Sequence, residues 1–163
     1  MMSEQDKIAY LADHISYEVV MLNYTFMRVL TSRPSTPEGQ LDFNVHLESF
    51  GVHAHNLVEF FSRKPGDDAR SAFDYIPDFV GPDPTSVEPA LLRLDKQILR
   101  VTTLGSSEPQ EKFGVDDARK LYAWIVPTIL KFQGALGPRY RATLNALGSL
   151  DPLARSPAEA EPS

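Results

Sequence analysis

Between Leu41 and Arg63 the apolar residues Phe43, Leu47, Phe50, Ala54, Leu57 and Phe61 recur at alternating steps of four and three. A helix with 3.6 residues per turn gathers all of them on one stripe, whereas a strand would scatter them over both faces. Each large side chain that such a stripe buries stabilises the fold by about 1.5–3 kcal/mol. The stretch therefore predicts a long helix that other elements must cover. It also carries three of the four histidines, His46, His53 and His55.

The flanking sequence supplies those other elements. Ile8, Ala12, Ile15, Val19, Leu22, Phe26 and Val29 keep the same stepping and predict a first helix from about Asp6 to Thr31. Ser3 with Asp6 three residues on has the spacing of a capping box. Pro34 and Pro37 end this helix. Tyr10, Tyr17 and Tyr24 repeat every seven residues on nearly the opposite side, near Val20, Met21 and Met27. A helix that is apolar on two sides is either central in a bundle or part of a subunit interface. Tyr10, Tyr17, Tyr24 and Met21 are thus the candidate contacts of a homodimer, with core packing as the alternative.

Thr36 and Pro37 open the central helix as N-cap and first helical residue. Gly51 within it costs roughly 0.5–1 kcal/mol relative to Ala, which close approach of a neighbouring helix would offset. Lys64-Pro65-Gly66 stops it. The connection Asp67–Pro84 holds Phe73, Tyr75, Ile76, Phe79 and Val80, too many apolar residues for a free linker. A short helical turn is expected near Asp68–Tyr75. A third helix follows at about Ser86–Thr102, with Thr85 and Glu88 at capping-box spacing and Val87, Leu91, Leu94, Ile98 and Val101 as its stripe. A fourth runs from about Val115 to Gln133, with Ala118, Leu121, Ile125, Ile129 and Phe132 facing inward and Pro127 kinking or dividing it. A short last helix spans Arg139–Leu147. From Gly148 the chain is rich in Pro, Ala and Glu and reads as a disordered tail over residues 148–163. Long helices joined by turns predict an all-α domain over residues 1–147, an antiparallel four-helix up-and-down bundle.

Composition narrows the function. Formal net charge is −6, and no basic tract of the kind that binds nucleic acid is present. Without cysteine, disulfides and thiolate metal sites are impossible. No apolar run has the length of a membrane span, and the N-terminal residues lack a secretory pattern, so a cytoplasmic protein is expected. No phosphate loop, dinucleotide fingerprint or Gly-x-Ser-x-Gly setting appears, and no cofactor is implied. Asp67-Asp68 and Asp116-Asp117 fall at predicted helix starts, where carboxylates complement the helix dipole.

Two constellations remain. His14, His46 and His53 could converge on a metal from facing helices, although Glu-x-x-His and His-Glu-x-x-His are both missing. Alternatively these histidines hydrogen-bond beside the core. The second constellation rests on Leu47-Glu48-Ser49-Phe50-Gly51-Val52-His53-Ala54-His55-Asn56-Leu57-Val58-Glu59-Phe60-Phe61, Asp67-Asp68-Ala69 and Leu94–Thr102. These segments resemble a family of small bacterial helical proteins with the pattern E-x-F-x-x-H-x-R-N-L-x-x-F. That resemblance implies a HEPN-like bundle of prokaryotic defence and toxin systems, many of which cut RNA with an Arg followed at short spacing by His. Here His55 stands where the family has Arg, and Arg100 where it has His. An RNase would need His53 or His55 as base, Asn56 as orienting donor and Arg100 as phosphate ligand, meeting across helices two and three. Otherwise Asp95, Lys96 and Arg100 form a solvated helix face.

The sequence favours a non-enzymatic helical bundle acting through self-association or a protein partner. A HEPN-like ribonuclease or its degenerate relative, with RNA as substrate, is the alternative, and a metal-binding bundle comes third.

Overall fold

The computed structural model describes residues 3–63, 70–99 and 112–145. All regular structure among the described residues is helical. Helix α1 consists of Glu4–Tyr10, a π-type turn over Leu11–Ile15 and then Ser16–Thr31. Ser3 caps it as its spacing predicts: Asp6 N–H donates to Ser3 Oγ (3.1 Å), and Ser3 N–H donates to Asp6 Oδ2 (3.2 Å). The wider turn has no counterpart in the apolar stepping. Ser16 directs both its N–H and its hydroxyl (2.6 Å) to the Leu11 carbonyl, closing a loop of five residues where an α-turn closes four. The extra residue shifts the phase, so Leu11 is fully buried and Ala12, the expected stripe member, only partly. Val19, Leu22, Phe26 and Val29 are buried as the stepping requires.

Helix α2 is Pro37–Ser62, capped by Thr36, whose Oγ1 accepts from Gly39 N–H (3.1 Å). Its stripe is the centre of the core: Leu47, Phe50, Ala54, Leu57 and Phe61 are buried, and Leu57 is 0% exposed. Gly51 is buried as well. The helices α1 and α2 run antiparallel. Arg28 meets Asp42 near one end (3.3 Å), and Glu18 meets His53 further along (2.7 Å). Phe26 lies against Phe50 (5.5 Å) and stacks on Tyr122 (3.8 Å).

The connection after α2 folds into 3-10 turns at Ala72–Asp74 and Pro84–Ser86. The first is shorter than the turn expected near Asp68–Tyr75, and Asp67-Asp68 lie outside the described residues. Phe79 is buried and Tyr75 and Ile76 are partly so, but Val80 stands on the surface. Lys131 Nζ donates to Val80 C=O (2.6 Å), Tyr75 OH to Lys7 C=O (3.1 Å) and Trp124 Nε1–H to Asp83 C=O (3.1 Å), which fastens the connection to α1 and to the helix that carries Trp124 and Lys131. Burial pushes the Tyr75 phenol well above its ordinary pKa. At Gly81 a Cβ would come within 3.1 Å of the Phe61 carbonyl, so this close crossing over the end of α2 favours glycine.

Helix α3 is Glu88–Leu94, continued by a π-type turn Asp95–Leu99. The expected Thr85–Glu88 capping box is not made. Asp83 caps the preceding turn instead, accepting from Thr85 N–H (3.0 Å) and hydroxyl (2.6 Å), with Pro84 preset for the first position. Val87, Ala90 and Leu94 are buried, while Val101 lies outside the described residues. Helix α4 is Val115–Ala135 and is not divided at Pro127. Pro127 and Ala123 are both exposed, so the hydrogen bond that the proline cannot donate is missing from the outer side of the helix. Ala118, Leu121, Ile125, Ile129 and Phe132 are buried as predicted. Asp117, at the third helical position, receives Gly114 N–H (3.3 Å) and a two-point bond from Arg93 of α3 (2.9 and 2.5 Å). That bond lifts the Arg93 pKa and joins the two helices. Helix α5 is Pro138–Asn145, and its Tyr140 OH donates to Glu4 Oε2 of α1 (2.6 Å). The expected disordered tail, 148–163, lies outside the described residues.

At the lower end of the core, Phe132 receives Phe60 (5.5 Å), Phe61 (5.6 Å), Tyr75 (6.1 Å) and Phe79 (5.5 Å), mostly edge to face. It thus ties α2, the connection and α4 together. Phe132→Ala is expected to cost about 3–5 kcal/mol, read from the midpoint of urea unfolding.

Candidate functional site

The seam between α1 and α2 gathers the polar residues. His53, flanking the apolar stripe, is 8% exposed and donates through Nδ1–H to Glu18 Oε2 (2.7 Å). Asn56, three residues on and therefore on the same side, donates Nδ2–H to Glu18 Oε1 (3.1 Å). Each oxygen of the Glu18 carboxylate is held by its own donor, which offsets the cost of taking a charge partly out of water. The rings of Tyr17 and His53 meet nearly at right angles (5.6 Å), and Tyr24 lies against His46 (6.1 Å). His46 Nδ1–H donates to the Asp42 carbonyl (2.8 Å); because a carbonyl only accepts, this fixes the proton on Nδ1.

Beside Glu18 a small polar pocket of about 190 Å³ opens between α1, the end of α2 and Arg70. Tyr10, His14, Asn56 and Arg63 line it together with these two residues. The Arg70 guanidinium lies 4.4 Å from the centre of the Tyr10 ring, and Arg63 Nη2 reaches Glu59 Oε2 (2.6 Å). Burial pushes the Tyr10 phenol above its ordinary pKa, with the Arg70 charge opposing. On the other flank of α2 lies a larger, mainly apolar groove of about 600 Å³. Val58, Leu91 and Leu92 give it an apolar lining, and His55, Glu59 and Glu88 add polar groups.

The structure separates residues that the sequence treats as interchangeable. His53 faces α1, whereas His55, two residues and some 200° of helix away, lines the groove next to α3 with Nε2 3.4 Å from Glu59 Oε1. One site cannot use either histidine in the same role. His53 and Asn56 come together; Arg100 lies outside the described residues. His14, His46 and His53 do not converge, since they stand beside Tyr10, Tyr24 and Tyr17 along the seam. Among the described residues no group of three or more His, Asp or Glu is placed to hold a metal. Glu18, four residues after His14, bonds across to α2 instead. Of the proposed interface residues, Tyr17 and Tyr24 are each 54% exposed and Met21 is half-buried. Tyr10 departs from their side, because the π-type turn between it and Tyr17 breaks the seven-residue repeat and leaves its ring under Arg70. Arg63 had a local signal in its four-residue spacing from Glu59. Arg70 had none, since it reaches Tyr10 only through the tertiary fold.

Loss of the Glu18 carboxylate leaves the nearly buried His53 without its partner. Glu18→Ala is expected to cost about 1–3 kcal/mol in urea unfolding. His14→Ala, on an exposed side chain, should stay within about 0.5 kcal/mol.

Compared with protein-family models, with curated proteins and with solved structures, the chain matches none.

Proposed function

We propose that this chain is a non-enzymatic four-helix bundle of the cytoplasm that works by association, pairing with a second copy through the outer side of α1 and α2. The observation that carries the reading is the exposure of Tyr17 and Tyr24 on that side. Met27 on α1 and Leu41, Val45 and Val52 on α2 are exposed as well. Steps of four and seven residues set the three α2 residues along one side of their helix. Single exposed apolar residues are ordinary; a series along one helical hairpin is what interfaces use, and tyrosine is enriched there. The rings of His46 and His53 lie beside these tyrosines. A two-fold contact places the same patch on both subunits, so the tyrosine hydroxyls can pair across the axis. No helix among the described residues is long and apolar enough to cross a membrane.

A second reading, a HEPN-like ribonuclease or its degenerate relative, draws support from the bonded Glu18–His53 pair next to Asn56. A carboxylate that orients an imidazole is a recurrent way to prepare a general base. In that reading His53 takes the proton and His55 drops out, because it faces the other groove. Incubation of purified protein with single-stranded RNA tests it: cleavage abolished by His53→Ala supports the nuclease, and intact RNA removes it.

For the association reading, sedimentation equilibrium at micromolar concentration is expected to show a dimer. Tyr17→Asp combined with Tyr24→Asp should give a monomer that still unfolds cooperatively, with a midpoint that no longer depends on protein concentration. A monomeric parent chain would overturn it.

A further inference from the structure

We infer that the pocket between Tyr10, Arg63 and Arg70 is a binding site for a small oxyanion, a carboxylate or phosphate group. Two guanidiniums approach the same space from different parts of the chain, Arg63 at the end of α2 and Arg70 after it. Like charges converge at a cost, which Glu18 and Glu59 on the same pocket wall offset. Among the described residues, both carboxylates that line the pocket already have hydrogen-bond partners. Glu59 binds Arg63 through Oε2 and lies 3.4 Å from His55 through Oε1. Glu18 is held by His53 and Asn56, one donor to each oxygen. Arg70 is in ion-pair contact with neither of them: among the described residues its guanidinium lies over the Tyr10 ring.

That ring contact matters for recognition. A guanidinium over an aromatic face keeps its N–H groups directed outward in one plane, the geometry that grips two oxygens of a carboxylate or phosphate at once. Arg63 spends Nη2 on Glu59 and retains further N–H donors. Asn56 has a second amide hydrogen, and the exposed His14 ring stands at the rim. The volume, about 190 Å³, is below the roughly 300 Å³ at which pockets begin to take drug-sized ligands. It suits a single ionic group with a short tail. The site is independent of the Tyr17–Tyr24 surface and would exist in a monomer.

The probes are sodium phosphate and sodium acetate, each titrated into the full chain at constant ionic strength held with sodium chloride, because screening alone moves exposed charges. Proton–nitrogen NMR follows the Asn56 side-chain amide and the Nε–Hε groups of Arg63 and Arg70. Saturable shifts at these three groups are expected with at least one probe. Arg70→Gln should weaken that binding about tenfold or more while still unfolding cooperatively, and Arg70→Lys, which keeps the charge and loses the fork, should fall between. Tighter phosphate binding would assign the site to a phosphorylated ligand, tighter acetate binding to a carboxylate, and either supports the inference. Shifts that rise without saturation for both probes, or an affinity that Arg70→Gln leaves intact, would overturn it.

Discussion

Burial of the apolar side of α2 is the interaction on which the other features depend. Phe50, Leu57, Phe60 and Phe61 are covered by α1, by α4 and by the folded connection that follows α2. Covering a single long helix from several directions fixes what each of its flanks can do. The flank that carries His53 and Asn56 is pressed toward α1 and meets Glu18. The flank that carries His55 is left to the groove beside α3, with Glu59 and Arg63 lining both sites. The division of polar residues into two sites is thus a consequence of packing one ridge.

Polar contacts then lock the arrangement where water would otherwise compete. The Arg93–Asp117 pair joins α3 to the first turn of α4 while the same carboxylate receives Gly114 N–H. Tyr140 ties the last helix to the first residues of α1. Among the described residues, no buried side-chain nitrogen or oxygen lacks a hydrogen-bond partner. Satisfied contacts of this kind add little net stability each, but an orphaned member would cost more than the contact gains. They therefore select one packing of the helices over its neighbours in register.

What the sequence revealed follows from the range over which each signal acts. The stripes of α1, α2 and α4 and the caps at Ser3 and Thr36 depend on residues within a few turns of each other, and they could be read directly. The π-type turn at Leu11–Ile15 could not, because Leu11 and Ala12 are both apolar and either can serve a stripe. That one turn decides that Tyr10 enters the pocket while Tyr17 and Tyr24 stay outside. Thr85 lost its expected role to Asp83 because Asp-Pro competes for the same start. His53 and Asn56 were identifiable as a pair through their helical spacing, but their shared partner Glu18 lies 35 and 38 residues away and follows only from the pairing of α1 with α2. Arg70 over Tyr10 is further from any local rule.

The direct test of this account is a charge placed at the centre of the ridge, where Leu57 has no exposed surface. An aspartate there must either ionise among apolar side chains or force the helices apart, and both cost more than a domain of this size has to spare. Thermal unfolding of Leu57→Asp, followed by far-UV and near-UV circular dichroism, is expected to lose its cooperative transition. A transition with the parent midpoint would contradict the account, because it would mean that this position is not covered.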